Sequence, residues 1–487
     1  MEKPYHAKTG YNWDGKSNIR LRNIPGKDKL ILNSKNIGFV STRFAGIDGV
    51  SLESSKWAHI FQENGFHCYW FAGELDRDLE VSFLAPEAHF QYIQNKWINK
   101  QVFSGNGRKT DVTEVIHELR SLLKAKLHRF INQFKIDLLI VENALTIPMH
   151  IPLGISLTEL ITETQIPTIA HHHDFCWERS RFSPNGVGDY LHMAFPPNLP
   201  NIRHVVINSE ARKQLSSRKG ISSTIIPNVL DFDNPPIVND KKTEAFREII
   251  GLKPEDKMIL QPTRVIQRKG IERAIELVSE LKNPCYKLII SHETGDEGFE
   301  YFNGLRAHAK NLEVDLRTVE AEITNPWTNN EKHKTKFSLW DIYPNAEFIT
   351  FPSLCEGFGN ALLEAIYFKK PILVNKYPVF VKDIEPKGFN FVTIDGVISK
   401  TTVQAVRDIL ESKENQKEMV NSNYEVASHR FSYSILRNQL NPIIGYFFNN
   451  SDRQNFPKIS VQQHLSTKQS LDNPDLFYDK SERYIAN

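Results

Sequence analysis

Short apolar runs rich in β-branched and aromatic residues alternate along this chain with segments whose apolar residues recur at helical spacing. In the first half the runs are NIGFVST, FHCYWFAG, IDLLIVEN, PTIAHHH, RHVVINS and STIIPN, and in the second half they are KMILQPTR, YKLIISHE, AEFITFPS, KPILVNK and FNFVTID. Buried strands that alternate with helices pair in parallel, with helices on both faces of the sheet. The pattern therefore predicts an α/β fold with two parallel sheets in series, whose ligands would lie beyond the carboxyl ends of the strands.

Residues 270–281 form the clearest predicted helix. The apolar residues of this segment recur at the spacing of one helical face, and they are Ile271, Ala274, Ile275, Val278 and Leu281. Such a stripe indicates a helix that packs on a sheet with that face.

A segment with two consecutive prolines and several charges, VLDFDNPPIVNDKKTE, separates the two series of strands. Proline and charged residues are common in connections between domains. We therefore expect one Rossmann-like domain over residues 1–235, a second over 236–430, and a C-terminal part over 431–487. The helical run FSYSILRNQLNPIIGYFF in that last part is expected to return to the first domain, and the polar tail from about residue 450 is expected to lie on the surface.

Charge and cysteine usage limit the classes of protein that fit. The chain has 60 Lys and Arg residues against 58 Asp and Glu residues, so its overall charge favours neither nucleic acid nor an anionic membrane as a partner. Its 4 cysteines are far apart and form no C-x-x-C pair, which is typical of thiols in a reducing compartment. The N-terminal stretch has no apolar signal core, and no apolar run is long enough to span a bilayer. These features predict a soluble, cytoplasmic protein.

A basic loop follows the predicted strand KMILQPTR. Arg268 and Lys269 come directly before Gly270 and the predicted helix, and Arg264 ends the strand. The positive end of a helix dipole disfavours each cation by about 0.3–1 kcal/mol, so two cations at that place suit a bound anion such as phosphate. A solvated basic turn explains the same residues equally well.

The stretch CEGFGNALLEA follows a predicted buried strand and runs into a predicted helix. If Asn360 caps that helix, the free N–H groups of residues 361–363 point into the cleft. Glu364 would then lie in the first turn, where the helix dipole stabilises an acid without any ligand.

Glu356 is harder to explain without a ligand, because it precedes the turn and gains little from the helix. Gly357 and Gly359 would let the backbone approach a ligand closely. A carboxylate outside a phosphate site suits the recognition of hydroxyl groups, since it only accepts hydrogen bonds.

The third loop follows the predicted strand PTIAHHH. It contains His171, His172, His173, Asp174, Phe175, Cys176, Trp177, Glu178 and Arg179. Strand alternation places His171 and His173 on one face and His172 on the other, which suits a tetrahedral metal site poorly. Nothing in the sequence indicates a nucleophilic Cys176. The polar groups favour a bound sugar or phosphate, with Trp177 as a stacking surface, while a structural histidine cluster stays open for at least one of the three.

A glycine-containing loop, GIDGV, follows the first predicted strand and includes Gly49. A loop at a strand–helix junction can admit a diphosphate. The full G-x-G-x-x-G pattern is absent, which disfavours a dinucleotide cofactor.

The chain resembles the retaining glycosyltransferases of family four, which have the GT-B fold, with two Rossmann-like domains facing a central cleft. The resemblance rests on the E-x7-E pattern of Glu356 and Glu364 within PSLCEGFGNALLEA, on TRVIQRKGIE as the R-x4-K-G phosphate motif, and on IIPNVLDFD as the turn that ends the first domain. It extends from about residue 36 to about residue 449. The segments NALTIPMHIPLG, AHHHDFCWER and SLWDIYPNAEFITFPSLCEGFGNALLEA are most similar to the mannosylglucosylglycerate synthase-like branch.

The resemblance implies a role for each of these positions. Glu364 would hold the ribose hydroxyls of a nucleotide, and Glu356 would contact the hydroxyls of the donor hexose. Arg264 and Lys269 would neutralise the diphosphate leaving group, and His173 would lie near the donor hexose. The expected catalytic residues are Glu356, His173, Arg264 and Lys269, the further donor-binding residues are Gly49, Gly357, Phe358, Gly359, Asn360 and Glu364, and the acceptor-binding residues are His172, Asp174, Trp177, Glu178 and Arg179.

The activity that the resemblance implies is transfer of a hexose, mannose or glucose, from GDP-mannose or UDP-glucose to a hydroxyl of a small soluble acceptor such as a glycosylated glycerate. It would proceed with retention by front-face attack, with no cofactor and no metal ion. A nucleotide-sugar epimerase on the same fold and a non-catalytic nucleotide-sugar-binding protein stay open as alternatives. Neither nucleic acid nor a membrane is expected as a partner, and self-association stays open.

Overall fold

Two parallel β-sheets, each covered by helices, make up the part of the chain that the computed structural model describes. That part consists of residues 35–46, 48–105, 107–291, 299–319, 323–324 and 337–449. The two parallel sheets predicted from the alternating pattern are confirmed.

The first sheet comes from the N-terminal half. Its strands are β1 (Asn36–Val40), β2 (His67–Ala72), β3 (Ser82–Leu84), β4 (Leu138–Glu142), β5 (Thr168–His172), β6 (Ile202–Val206) and β7 (Ser223–Ile225). Its helices are α1 (Gly49–Glu63), α2 (Ile93–Val102), α3 (Thr110–Phe134), α4 (Ile151–Thr164), α5 (Gly188–Ala194) and α6 (Ser209–Lys219). The strands pair in parallel in the order β3-β2-β1-β4-β5-β6-β7. Each strand predicted in this half is confirmed, and the sequence missed only the short edge strand β3.

The C-terminal half contributes the second sheet and the remaining strands and helices. The strands are β8 (Lys257–Gln261), β9 (Tyr286–Ile290), β10 (Leu316–Thr318), β11 (Ile323–Thr324), β12 (Phe337–Ser338), β13 (Ala346–Phe351), β14 (Ile372–Asn375) and β15 (Val392–Ile394). The helices are α7 (Asp240–Ile249), α8 (Ile271–Leu281), α9 (Phe299–Asn311), α10 (Leu339–Ile342), α11 (Asn360–Tyr367), α12 (Lys400–Glu411), α13 (Lys413–Arg430) and α14 (Tyr433–Asn449). The sheet order is β10-β9-β8-β13-β14-β15, and β11 pairs separately with β12. Within the described residues, none of the helices combines the length and apolar character needed to cross a membrane.

Helix α8 confirms the clearest helix prediction. It covers Ile271–Leu281, one residue shorter than expected at its start. The residues of its buried face are Ile271, Ala274, Ile275, Leu277, Val278 and Leu281. Burying these side chains against the second sheet stabilises the helix and fixes the position of the basic loop just before it.

Loops at the carboxyl ends of the two sheets meet each other, as the GT-B expectation required. Asn208, just after β6, donates from Nδ2 to the carbonyl oxygen of Gly357, just after β13, at 2.6 Å. The backbone N–H of Ser209 donates to Asp383 Oδ2 at 2.8 Å. Ligand-binding loops of both sheets therefore line one shared cleft.

The last helix, α14, lies against α1 of the first sheet. Arg437 Nη2 donates to Glu63 Oε2 at 2.5 Å, and the rings of Tyr433 and His59 lie 5.7 Å apart. The domain limits expected from the sequence stay a prediction, and the polar tail from about residue 450 lies outside the described residues.

Candidate active site

Glu356 and the basic loop after β8 form an ion-paired cluster. Residues Gln267–Lys269 make a 3₁₀ turn that ends at Gly270, whose φ of 60° lets α8 begin at once. Lys269 Nζ donates to Glu356 Oε1, and Arg268 Nη1 donates to Glu356 Oε2 at 3.2 Å. Burial by itself raises the pKa of Glu356, but the charges of Lys269 and Arg268 outweigh it and hold that pKa below its ordinary value. The Glu356 carboxylate is therefore ionised and fixed.

The anion expected beside the basic loop is partly supplied by the protein. The side chains of Lys269 and Glu356 are only 11% and 9% exposed, so this ion pair is shielded from water. Arg264 lies on the same loop and is exposed. Because Arg268 and Lys269 pair with a single carboxylate, these three residues together carry a net positive charge.

Helix α11 begins one residue earlier than expected. The expectation that Asn360 caps it is wrong: Gly359 is the residue before the helix, and Asn360 is the first helical residue. The N–H groups of Leu362 and Leu363 donate to the Gly359 carbonyl at 3.0 and 3.4 Å, so they do not point into the cleft. Glu364 consequently lies beyond the first turn, where the helix dipole no longer accounts for it.

Glu364 is held by a buried tyrosine. Tyr343 Oη donates to Glu364 Oε2 at 2.7 Å. Burial raises the pKa of Glu364, and the bond from Tyr343 together with the charges of Lys56 and Lys269 offsets part of that rise. The hydrogen bond fixes the orientation of the carboxyl group.

The turn before α11 presents its backbone rather than its side chain. Phe358 is 3% exposed, and its ring meets that of Phe431 edge to face at 5.2 Å. Tyr377 Oη donates to the Phe358 carbonyl at 2.6 Å. Gly359 has a φ of 115°, and a Cβ there would lie 2.8 Å from Tyr377 Oη. Only glycine fits at this position, because a side chain would collide with the tyrosine that holds the turn.

The histidine loop after β5 lies directly opposite Gly357. A Cβ on Gly357 would lie 3.0 Å from the His173 carbonyl oxygen and 3.8 Å from Asp174 Oδ1. The structure thus brings His173 and Asp174 to the loop that carries Glu356.

Gly49 lies opposite the start of α11. A Cβ on Gly49 would be 3.3 Å from Asn360 Nδ2, and Asn360 Oδ1 accepts from Asn228 Nδ2 at 2.5 Å. Asp48 caps α1, because its Oδ1 accepts from the N–H groups of residues 50 and 51. The cap satisfies two of the N–H donors at this helix end, and the missing side chain of Gly49 allows the two loops to approach closely. A role of Gly49 in donor binding stays a prediction.

His172 lies away from the cleft. Its side chain is fully buried, with Nδ1 bonded to Thr146 Oγ1 and Nε2 2.9 Å from His204 Nδ1. The strand alternation that separates it from its neighbours directs it into the first domain. This placement removes His172 from the expected acceptor-binding residues.

The rest of the histidine loop is organised by its own contacts. The ring of Trp177 stacks on Phe175 at 4.4 Å, so one of its faces is not available to a sugar. Glu178 Oε2 accepts from the Phe175 N–H at 2.8 Å. Asp174 and Arg179 form an ion pair at 2.5 Å, with about a third of each side chain exposed. Asp174 and Arg179 therefore remain the best placed of the expected acceptor-binding residues.

Three side chains join the site that sequence reasoning did not assign to it: Tyr343, Lys56 and Glu142. Arg268, which the sequence analysis placed with Lys269 as a candidate for binding an anion, contacts Glu356. Glu142 is the last residue but one of the predicted strand IDLLIVEN, and a carboxylate near a strand end is a weak signal. No sequence pattern around Tyr343 or Lys56 indicates a role in the site, because both act on Glu364, which lies elsewhere in the chain.

Glu142, His171 and His173 combine residue types that can bind metal ions, and their side-chain nitrogen and oxygen atoms lie within 4.8 Å of one another. The expectation of no metal rested on the alternation of the histidines and on the positive charge that Arg264 and Lys269 would supply. The imidazole–carboxylate separations of 3.0 and 3.1 Å are hydrogen-bond distances. That no metal ion is needed stays a prediction.

The two-sheet fold is similar to that of solved glycosyltransferases. The crystal structure of a glycosyltransferase from Rickettsia africae superposes with a TM-score of 0.60 over 86% of this chain and 100% of that one, at 14% identity. This likeness shows the GT-B fold, in which strand-end loops of two Rossmann-like domains face a shared cleft.

Sequence comparisons give the family. A family model described as glycosyl transferases group 1 matches residues 242–426. A mannosylglucosylglycerate synthase of Petrotoga mobilis is 32% identical over 383 residues, which cover 74% of this chain and 86% of that enzyme. A mannosylglucosylglycerate synthase of Thermotoga maritima is 30% identical over 437 residues, 83% of this chain and 98% of that enzyme. The chain therefore belongs to the glycosyl transferases group 1 family.

Proposed function

We propose that this glycosyltransferase moves a hexose from a nucleoside diphosphate sugar to a hydroxyl of a small glycosylated acceptor, with retention of configuration. Mannose as the hexose and a glucosylglycerate as the acceptor are the first choice, because relatives that match this chain over most of their length are named mannosylglucosylglycerate synthases. The nucleotide base is left to experiment, with GDP-mannose and UDP-glucose as the leading donors.

The observation that carries the proposal is the ion-paired cluster of Glu356 with Lys269 and Arg268 in the shared cleft. Glycosyl transfer from a sugar nucleotide needs positive charge for the departing diphosphate and hydrogen-bond acceptors for the sugar. Lys269, Arg268 and Arg264 supply the charge, and the fixed carboxylate of Glu356 supplies the acceptor. Groups that are held in place before the substrate binds stabilise charge in the transition state without reorganisation.

In the proposed reaction the bond between the anomeric carbon and the diphosphate oxygen breaks, and a bond to the acceptor oxygen forms on the same face. The acceptor proton passes to the departing phosphate oxygen, so no separate general base is required. Glu364 would bind the ribose hydroxyls, and Asp174 and Arg179 would bind the acceptor. Because side chains supply the positive charge, the reaction is proposed to need no metal ion.

The proposal predicts a new disaccharide linkage when purified protein is incubated with GDP-mannose and glucosylglycerate in the presence of EDTA. UDP-glucose and ADP-glucose serve as competing donors, and NMR of the product gives the anomeric configuration. Conversion of the donor without acceptor would instead establish an epimerase, and binding without turnover for every donor would establish a non-catalytic protein. An inverted product, or activity that EDTA abolishes, would contradict the retaining or the metal-free part of the proposal.

Glu364→Gln is expected to weaken donor binding before it affects turnover. A charged acceptor of ribose hydroxyl bonds contributes about 1.5–3 kcal/mol, so the donor KM should rise about 10- to 100-fold while kcat falls less than about fivefold. Steady-state kinetics over a range of donor concentrations measures both values. Glu347→Gln, at an exposed position of β13, is the control and should change neither. A kcat loss that exceeds the KM change would contradict a ribose role.

A further inference from the structure

Glu142 lies between the rings of His171 and His173 and has no part in the function proposed above. It is the last residue of β4, it is fully buried, and the strand register pairs it with His171 of β5. Its Oε2 atom lies 3.0 Å from His171 Nδ1 and 3.1 Å from His173 Nε2. We call these three residues the His–Glu–His cluster.

The charges in the His–Glu–His cluster are unequal. Burial raises the pKa of Glu142, but the two imidazoles outweigh it and bring that pKa down to about 2. Burial lowers the pKa of His173, but the bond and charge of Glu142 outweigh it and raise that pKa above its ordinary value. Burial keeps the pKa of His171 low despite the same carboxylate. The Glu142 carboxylate therefore favours the protonated form of His173, while burial favours the neutral form of His171.

His171 serves as a fixed support for the carboxylate. Its ring stacks on Trp57 at 4.3 Å with 23° between the planes, and it is 1% exposed. Among the described residues, its Nε2 atom has no hydrogen-bond partner. A neutral ring held in this way can donate from Nδ1 to Glu142 and cannot move toward the cleft.

His173 is the member of the cluster that reaches the cleft. Its backbone N–H donates to Asn143 Oδ1 at 2.8 Å, and its carbonyl oxygen faces Gly357. The bond to Glu142 uses Nε2, which leaves Nδ1 as the ring nitrogen that can donate to a ligand. The other charged groups that face His173 are Glu53 of α1 and Asp174, both acids.

We propose that Glu142 is a positioning residue whose carboxylate holds the His173 ring through Nε2 and favours its cationic form, so that His173 presents an N–H to the transferred sugar or to the departing phosphate. The inference rests on the proposed function, because it takes the ligand to be a sugar diphosphate. A fixed cation near the developing phosphate charge stabilises the transition state more than the bound substrate, so its effect falls on kcat.

Glu142→Gln is expected to move the alkaline limb of the pH–kcat profile toward acid by about 1–2 pH units. Activity needs protonated His173, so it declines as pH rises through the pKa of that ring. The neutral amide no longer favours the imidazolium, so the decline begins at lower pH. At pH 8 kcat should fall about 10- to 100-fold, while the donor KM changes less than about threefold. Glu142→Asp, which keeps the charge, should restore the wild-type position of the limb.

Asp137→Asn is the matched control, since Asp137 lies just before the same strand and pairs with Lys35 at 3.1 Å. It should leave the limb unchanged. An unmoved limb in a folded Glu142→Gln variant, judged by circular dichroism, would overturn the proposal. If that variant does not fold, the test is made on the wild-type protein by nitrogen-15 NMR, with the His173 signals assigned by comparison with His173→Gln. The His173 ring should titrate above about pH 6.5, and titration below that pH would overturn the proposal.

Two further results separate the explanations. A stoichiometric transition metal in the purified wild-type protein, lost in Glu142→Gln, would mean that the cluster holds a metal and would overturn the positioning role.

The NMR titration of His173 uses no substrate, so it is independent of the transfer assay. A raised His173 pKa in a protein that fails the transfer assay would therefore reject the proposed function while supporting the charge assignment, whereas transfer with an unchanged pH profile would reject the Glu142 inference alone.

Discussion

A Glu356→Gln variant is expected to lose about 10²–10³ in kcat while it still binds the nucleoside diphosphate. The substitution keeps the shape of the side chain and removes its charge. Glu356 is the carboxylate that Lys269 and Arg268 hold at the point where the loops of the two sheets meet. Its loss removes the proposed acceptor for the hexose hydroxyls but leaves both cations for the diphosphate. We expect affinity for the diphosphate to stay the same or to increase, since the cations no longer have an internal partner.

The measurement combines steady-state kinetics with calorimetric titration of the nucleoside diphosphate product. Glu347→Gln is again the control, because Glu347 lies on the strand that leads to this loop but is exposed. Thermal unfolding of the variant shows whether the protein remains folded. If kcat holds within about threefold, or if diphosphate binding is lost together with turnover, the separation of roles between Glu356 and Glu364 is wrong.

The sequence predicted the fold well because most of its strands are buried on both faces. Most interior strands of the two sheets contain a short apolar run, which can be recognised in the sequence. Four strands were missed, and all are short. Strands β3 and β10 are three residues long and lie at sheet edges, where partial exposure leaves no apolar run, and β11 and β12 are two residues long and pair with each other outside both sheets. The error at the start of α11 has a local cause as well: Gly359 takes the left-handed conformation before the helix, and the Asn360 side chain pairs with Asn228 instead of capping.

The sequence predicted those site residues that stand in one loop with charged residues and glycines. It did not predict contacts between residues that are far apart in the chain and meet only because their strands are neighbours in the sheet. Glu356 and Lys269 stood out within their own loops, although their pairing with each other did not. Glu142 meets His171 and His173 only because β4 lies beside β5. Alternation correctly separated His172 from its neighbours, but only the packing of β5 against the rest of the domain decides which face opens on the cleft.

The second large effect is expected at a buried ion pair that joins α1 to the connection between the domains. Lys56 Nζ donates to Glu53 Oε2 at 2.8 Å and to the Val229 carbonyl at 2.7 Å, and the Val229 N–H donates to Glu53 Oε1 at 3.3 Å. The two side chains are 5% and 0% exposed. Val229 follows Asn228, which contacts Asn360 at the start of α11. The ion pair of Lys56 and Glu53 therefore supports the segment that contacts the loop of Glu356.

Lys56→Met should lower the free energy of unfolding by about 3–5 kcal/mol, because it leaves the Glu53 carboxylate buried without a countercharge. Adding Glu53→Gln should recover most of that loss, since no charge then remains buried, and chemical denaturation of the single and double variants measures the difference. Lys382→Met is the control: it removes an exposed partner of Glu210 and should cost no more than about 1 kcal/mol. A double variant as unstable as Lys56→Met would mean that the lysine stabilises the protein through packing or its bond to Val229 rather than by neutralising Glu53.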